Sequence, residues 1–179
     1  MPTNNTSEPH AGRVALVTGT SRGIGQAIAV GLAQRGARVV LGDRGDARKA
    51  IALIADTGHE AVPVTLDVSD PSSIEAARDR VAEELGHVDI LVNNAGTFEA
   101  ATWDDLDFDL WQRVMAVDLN GPMLMCKAFL PLMRGRGWGR AVGALVQRYG
   151  QVALASAESP GEADQEGMRC PGSWISTMT

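Results

Sequence analysis

Apolar positions along this chain follow two alternating rhythms. Short apolar runs, Val14-Ala15-Leu16-Val17, Val39-Val40-Leu41, Val62-Pro63-Val64-Thr65-Leu66 and Val88-Asp89-Ile90-Leu91-Val92, read as strands. The last of these is nearly continuous, as expected for a parallel strand covered on both faces. Between the runs, apolar residues recur at helical spacing. Ile24, Ile28 and Leu32 form one stripe, and Ile51, Ile54 and Ala55 form another within Ala47 to Thr57, closed by Gly58. Ile74, Ala77, Val81 and Leu85 form a third from Ser72 to Gly86, with Ser69 and Asp70 at its start. A longer pattern runs from Leu110 to Met133 through Trp111, Val114, Met115, Val117, Leu119, Met123, Leu124 and Leu130. Strand and helix signals alternating in this way predict an α/β fold with a doubly wound parallel sheet, from Arg13 to about Val146.

The two ends lack these rhythms. Residues 1–12 are polar, with Pro2, Asn4, Asn5 and Pro9, and predict a disordered leader rather than a signal peptide. Residues 147–179, rich in Gly, Ser, Pro and Glu, predict an irregular tail, leaving 13–146 as one domain. A length of 179 residues suits a single domain. The net charge of −6 argues against a nucleic-acid or anionic-membrane partner, both of which favour a basic surface. No apolar run is long enough to span a bilayer. Cys126 and Cys170 are far apart and lack a nearby His, so neither a disulfide framework nor a metal site is expected. The expectation is a cytoplasmic protein.

Chemistry enters at Thr18-Gly19-Thr20-Ser21-Arg22-Gly23-Ile24-Gly25, set between the first strand and the first helix. That context suits a loop that cradles phosphates. Gly19 would permit the tight turn out of the strand, Gly23 the approach of backbone to a pyrophosphate, and Gly25 close packing of helix on strand. The N–H groups and dipole at the helix start favour the phosphates. Asp43 ends the second strand eighteen residues beyond Gly25, about the separation at which an acid meets the adenosine ribose. A carboxylate there repels a 2′-phosphate and favours NAD over NADP; Arg22 and Arg44 pull the other way. The alternative for Asp43 is a solvated loop carboxylate. Further on, Asn93-Asn94-Ala95-Gly96 ends the fourth strand, its amides suited to steadying the sheet's edge and its small residues leaving room for a ribose and nicotinamide.

The Gly-x-x-x-Gly-x-Gly spacing and the Asn-Asn-Ala-Gly tetrapeptide together resemble the short-chain dehydrogenase/reductase family. The resemblance implies a Rossmann-type fold, a nicotinamide dinucleotide cofactor, an alcohol or ketone substrate and a homo-oligomer. It implies a cofactor site made by Gly19, Ser21, Arg22, Gly23, Ile24, Gly25, Asp43, Asp67, Val68, Asn93, Ala95 and Gly96. Asp67 would face the adenine amine and Val68 its ring; the alternative for Asp67 is a helix cap. Val117-Asp118-Leu119-Asn120-Gly121 resembles the family's asparagine motif, which would give Asn120 a catalytic part in the proton relay; its alternative is a helix boundary. Phe98 and Trp103 would either line a substrate mouth or, the preferred expectation, seal the following helix.

The resemblance is dense through Arg140 and then stops. Where the family places its serine stand Leu145 and Val146. The only tyrosine, Tyr149, is followed four residues later by Ala153, and the lysines are Lys49 and Lys127. No Ser-Tyr-x-x-x-Lys set can be assembled. A free tyrosine titrates near a pKa of about 10, so the phenol needs a neighbouring cation to act as proton donor and acceptor. Losing such acid–base help costs roughly 10²–10⁴-fold. The sequence also lacks the later helix, the strands of the second wing and the helix-pair oligomer surface that the resemblance implies, so the sheet is expected to stop after about its fifth strand. Two readings follow: an NAD-dependent enzyme by descent, inactive as this chain, or a non-catalytic dinucleotide-binding or interaction module. The abrupt break favours the first, with a reading-frame shift close after Arg140.

Overall fold

The computed structural model describes residues 8–98, 102–146 and 152–158. Its elements alternate as the apolar pattern predicts: β1 (Val14–Thr18), α1 (Gly23–Ala33), β2 (Arg38–Asp43), α2 (Arg48–Ala55), β3 (Ala61–Thr65), α3 (Pro71–Leu85) and β4 (Ile90–Asn93). Next come α4 (Phe108–Met115), a π-helical turn (Ala116–Asn120), α5 (Gly121–Met133), β5 (Arg140–Val146) and β6 (Val152–Glu158). The strands lie in the order β3-β2-β1-β4-β5-β6, with β1 to β5 parallel. The chain builds outward from β1 to β3 and then returns through α3 to set β4 on the other side of β1. That reversal leaves a crevice between the C-terminal ends of β1 and β4, the place where open α/β sheets bind ligands.

Both faces of the sheet are covered, which explains the continuous apolar runs. Leu16, Val40, Val64 and Leu91 face a core completed by Ile74, Ala77 and Val81 of α3 and Met125, Phe129 and Met133 of α5. Their neighbours Ala15, Val17, Val39, Leu41 and Val92 face the opposite core with Ala29 and Ala33 of α1 and Ala50 and Ile54 of α2. The period of two within each strand is therefore present but masked, because both phases are apolar. Asp70, rather than Asp67, caps α3: its carboxylate accepts the Ser72 N–H at 2.9 Å. Gly86 ends that helix in the left-handed conformation, φ 74°.

The ends differ from expectation. Residues 8–12, assigned to a loose leader, fold onto the turn between α1 and β2, where the His10 N–H donates to the Arg35 carbonyl at 2.9 Å. Sheet-edge pairing also continues past the predicted fifth strand. β6 lies antiparallel to β5, from Arg140 against Glu158 to Val146 against Val152. Pairing satisfies the backbone groups along a free edge whether or not the side chains alternate, so the apolar pattern gives no notice of it. The rest of the expected tail, 147–151 and 159–179, lies outside the described residues. The helical pattern over Leu110 to Met133 is three segments, with the π turn ending at Asn120 and Gly121-Pro122 opening α5, where proline is tolerated.

At the opposite end of the sheet from the crevice, Asp89 is 1% exposed and ties three segments together. It accepts the Val14 N–H at 2.9 Å and the Arg136 Nε–H at 3.0 Å. Arg13 lies 3.7 Å from the same carboxylate and stacks on the Trp138 ring. The His87 Nε2 atom is 3.2 Å from Oδ2 but lacks the angle of a hydrogen bond.

Candidate dinucleotide site

The glycines of the first loop have separate jobs. Gly19 turns the chain out of β1 at φ +73°, and a Cβ there would lie 2.9 Å from the Ala95 Cα. Gly23 also has positive φ, +63°, and faces open space. Gly25 is the close-packing position: a Cβ would strike the Gly19 carbonyl and the Asn94 amide. The first turn of α1 is thus pressed against the loop itself and the end of β4. Ser21, Arg22 and Ile24 join these glycines in lining a cleft of about 1020 Å³, at the upper end of the usual range for ligand cavities, about 300–1,000 Å³.

Asp43 is oriented rather than free. One carboxylate oxygen accepts the Ser21 N–H at 2.7 Å and the other the Gly45 N–H at 2.8 Å. Each oxygen keeps acceptor capacity, because an ionised carboxylate offers about four lone-pair sites. Gly42 just before it lets β2 run close to Leu66; a Cβ there would lie 2.7 Å from that leucine's Cδ2. Asp67 and Val68 reach the same end of the cleft from β3. Asp67 Oδ1 accepts from the Ser69 N–H at 2.9 Å and its hydroxyl at 2.6 Å. Burial raises the Asp67 carboxyl, but these bonds and the Arg44 cation outweigh it and hold the carboxyl below its usual range.

At the end of β4 the two asparagines part company. Asn94, Ala95 and Gly96 line the cleft. Asn93 does not: it is buried, its amide donating to the Cys126 sulfur at 3.6 Å and its Oδ1 left without a partner. Consecutive side chains at a strand end point to opposite faces, which sends Asn93 toward α5 and Asn94, just past β4, toward the loop after β1. Thr18 is a contributor that the motif alone does not reveal. Its hydroxyl is buried and accepts the N–H groups of Asn94 and Ala95 at 3.0 and 2.8 Å. A polar residue closing an apolar run is the signal that marks it.

Leu110, Trp111, Val114, Val117 and Asp118 form the remaining wall, with Phe98. Asp118 accepts the Thr97 N–H at 2.8 Å, fastening the π turn to the strand end. Asn120 is exposed at the end of that turn and is not among the cleft residues. Phe98 is 67% exposed and Trp103 87%, so neither seals the following helix. Trp111, one of the apolar positions of the helical pattern, is 51% exposed at the cleft.

The strand order, the glycine loop at the switch point and the acid ending β2 are the parts of a dinucleotide-binding fold. A family model described as short chain dehydrogenase matches residues 13–152. The chain belongs to the short-chain dehydrogenase/reductase family. The match continues past Arg140, so resemblance ends later than the motifs suggest. A cis-4-hydroxycyclohexanecarboxylate dehydrogenase of Sinomonas cyclohexanicum is 44% identical over 85% of this chain and 61% of its own length. Among solved structures, a metagenomic short-chain oxidoreductase in complex with NADP is 36% identical, with a TM-score of 0.72 over 77% of this chain and 65% of that one. Carveol dehydrogenase from Mycobacterium avium in complex with NAD is 30% identical, with a TM-score of 0.69 over 75% of this chain and 55% of that one. The chain thus spans less than two thirds of the length of each. No helix among the described residues is long and apolar enough to cross a membrane.

Proposed function

We propose that the cleft holds a nicotinamide dinucleotide, NAD in preference to NADP, in a scaffold built for hydride transfer with a secondary alcohol or ketone. The observation that carries this reading is Asp43, held by the Ser21 and Gly45 N–H groups beside the glycine loop. A fixed carboxylate at that place accepts ribose hydroxyls and repels a 2′-phosphate. The cradle also fits the pyrophosphate, because a side chain at Gly19 would collide with Ala95 and one at Gly25 with the Gly19 carbonyl, so only glycines let the backbone close up here. Gly23 and Arg22 would meet the phosphates, Asp67 and Val68 the adenine, and Ala95 and Gly96 the nicotinamide end. Asn93 would act there only through its backbone.

When bound, the dinucleotide supplies the hydride donor or acceptor. The chain's own residues then have to manage the proton, and Asn120, at the π turn, is the candidate for the relay through its main chain. The developing alkoxide still lacks a partner: Tyr149 has no lysine four residues on, and Leu145 and Val146 stand where the serine belongs. We therefore infer that this chain binds the cofactor without sustained turnover. An assay of secondary alcohols and ketones with both cofactors tests it, with no steady turnover expected. A rate of about 1 s⁻¹, within the ordinary enzyme range, would show that another acid does the work.

A further inference from the structure

Arg44 follows Asp43 directly and places its Nη1 3.4 Å from Asp67 Oδ2. The two side chains come from different strand ends and meet at the same end of the cleft, with Arg44 67% exposed and Asp67 31%. Asp67 is the fixed member. Ser69 holds its Oδ1, and its own N–H donates to the Ser73 hydroxyl at 2.9 Å, which leaves Oδ2 turned toward the guanidinium. Arg44 is the more exposed member, a long side chain that reaches Asp67 from the end of β2.

A 2′-phosphate is bound best by a guanidinium, whose planar fork matches two phosphate oxygens. By sequence, the residue after Asp43 is well placed to supply one. We propose that Asp67 is a specificity-determining residue that acts by holding Arg44 away from that task. Preference for NAD then rests on two acids: Asp43 repels the phosphate directly, and Asp67 withdraws the cation that would receive it. This rests on reading the cleft as a dinucleotide site. Arg22, the other guanidinium lining the cleft, lies at the start of α1 and is not part of the pair.

An ion pair this exposed is weak, so the expected effect is modest, about two- to fivefold. NADH and NADPH are titrated into the full chain by calorimetry for the unmodified protein, Asp67→Asn, Arg44→Gln and the double variant. Asp67→Ser provides a second replacement, with circular dichroism checking that each variant folds. The account expects both Asp67 variants to shift the ratio of dissociation constants toward NADPH by about two- to fivefold, and Arg44→Gln to remove that gain. An unchanged ratio in the Asp67 variants overturns the inference. So does a gain that survives Arg44→Gln undiminished, which would mean simple charge removal or capture by Arg22. If the unmodified chain binds neither dinucleotide, the reading of the cleft fails together with the inference; if it binds NADH and the ratio does not move, only the inference fails.

Discussion

The Asn94 side-chain amide crosses from β4 to donate to the main-chain carbonyls of Thr18 and Gly19, at 2.9 and 3.2 Å. Thr18 completes the exchange by accepting the N–H groups of Asn94 and Ala95. The ends of the two strands that diverge at the switch point are thereby joined by four hydrogen bonds. These bonds form the floor of the crevice.

Thr18→Val tests that floor with little change of shape. It takes the acceptor from the Ala95 N–H and leaves the Asn94 N–H only the Val92 carbonyl at 3.2 Å, and an unsatisfied buried donor costs about 1–3 kcal/mol. Urea denaturation should show a loss in that range, with weaker NADH binding under conditions where the variant remains folded. Unchanged stability would mean that Asn94 and Ala95 find other acceptors.

Gly25→Ala should act on the site more than on the fold. The added methyl meets the Gly19 carbonyl and the Asn94 amide, neither of which is the free end of a flexible chain. The loop must move, and overpacking of this kind costs about 1–3 kcal/mol. NADH affinity should fall by about five- to a hundredfold, since each 1.4 kcal/mol lost is a factor of ten. Full affinity in Gly25→Ala would show that the helix start does not set the cradle.

Asp89 predicts a pH dependence at the other end of the sheet. Burial raises its carboxyl, but the Val14 N–H, Arg136 and His87 outweigh burial and lower it. A carboxyl lower in the folded than in the unfolded chain adds stability above its unfolded value, about 3.9. That contribution is lost as pH falls through the lower folded value. Asp89→Asn should therefore destabilise the chain by about 1–3 kcal/mol at neutral pH, with the difference shrinking below about pH 4. Denaturant midpoints measured from pH 7 downward check it; a difference independent of pH would mean that the charge is not what matters.

Much of this was legible because the signals are local. The strands, the caps of α3 and the Gly19-Gly23-Gly25 spacing each need only neighbouring residues, and all of them recur in the structure. What escaped depends on which way a side chain points or what lies across the fold. Asn93 and Asn94 are equivalent in composition, and only their phase at the end of β4 sends one into the core and the other into the cleft. Trp111 fits the helical spacing of its segment, but spacing does not say that its side of α4 borders the crevice. The Arg44–Asp67 pair joins residues 23 apart in sequence and could not be read from either alone.

The break in the family pattern makes a prediction about the gene. The proposal is a reading-frame shift after Arg140, so an alternative frame downstream should encode a serine followed by Tyr-x-x-x-Lys. Resequencing the locus decides it. If neither alternative frame contains that set, a repurposed binding module becomes the better account.

The central claim is that the cleft is an NAD site whose preference is set by Asp43. Calorimetric titration of the unmodified chain and Asp43→Ala with NADH and NADPH tests it most directly. The account predicts that the unmodified chain binds NADH more tightly than NADPH, and that Asp43→Ala weakens NADH binding while narrowing or reversing the difference. Tighter binding of NADPH by the unmodified chain, or NADH affinity untouched by Asp43→Ala, would contradict it.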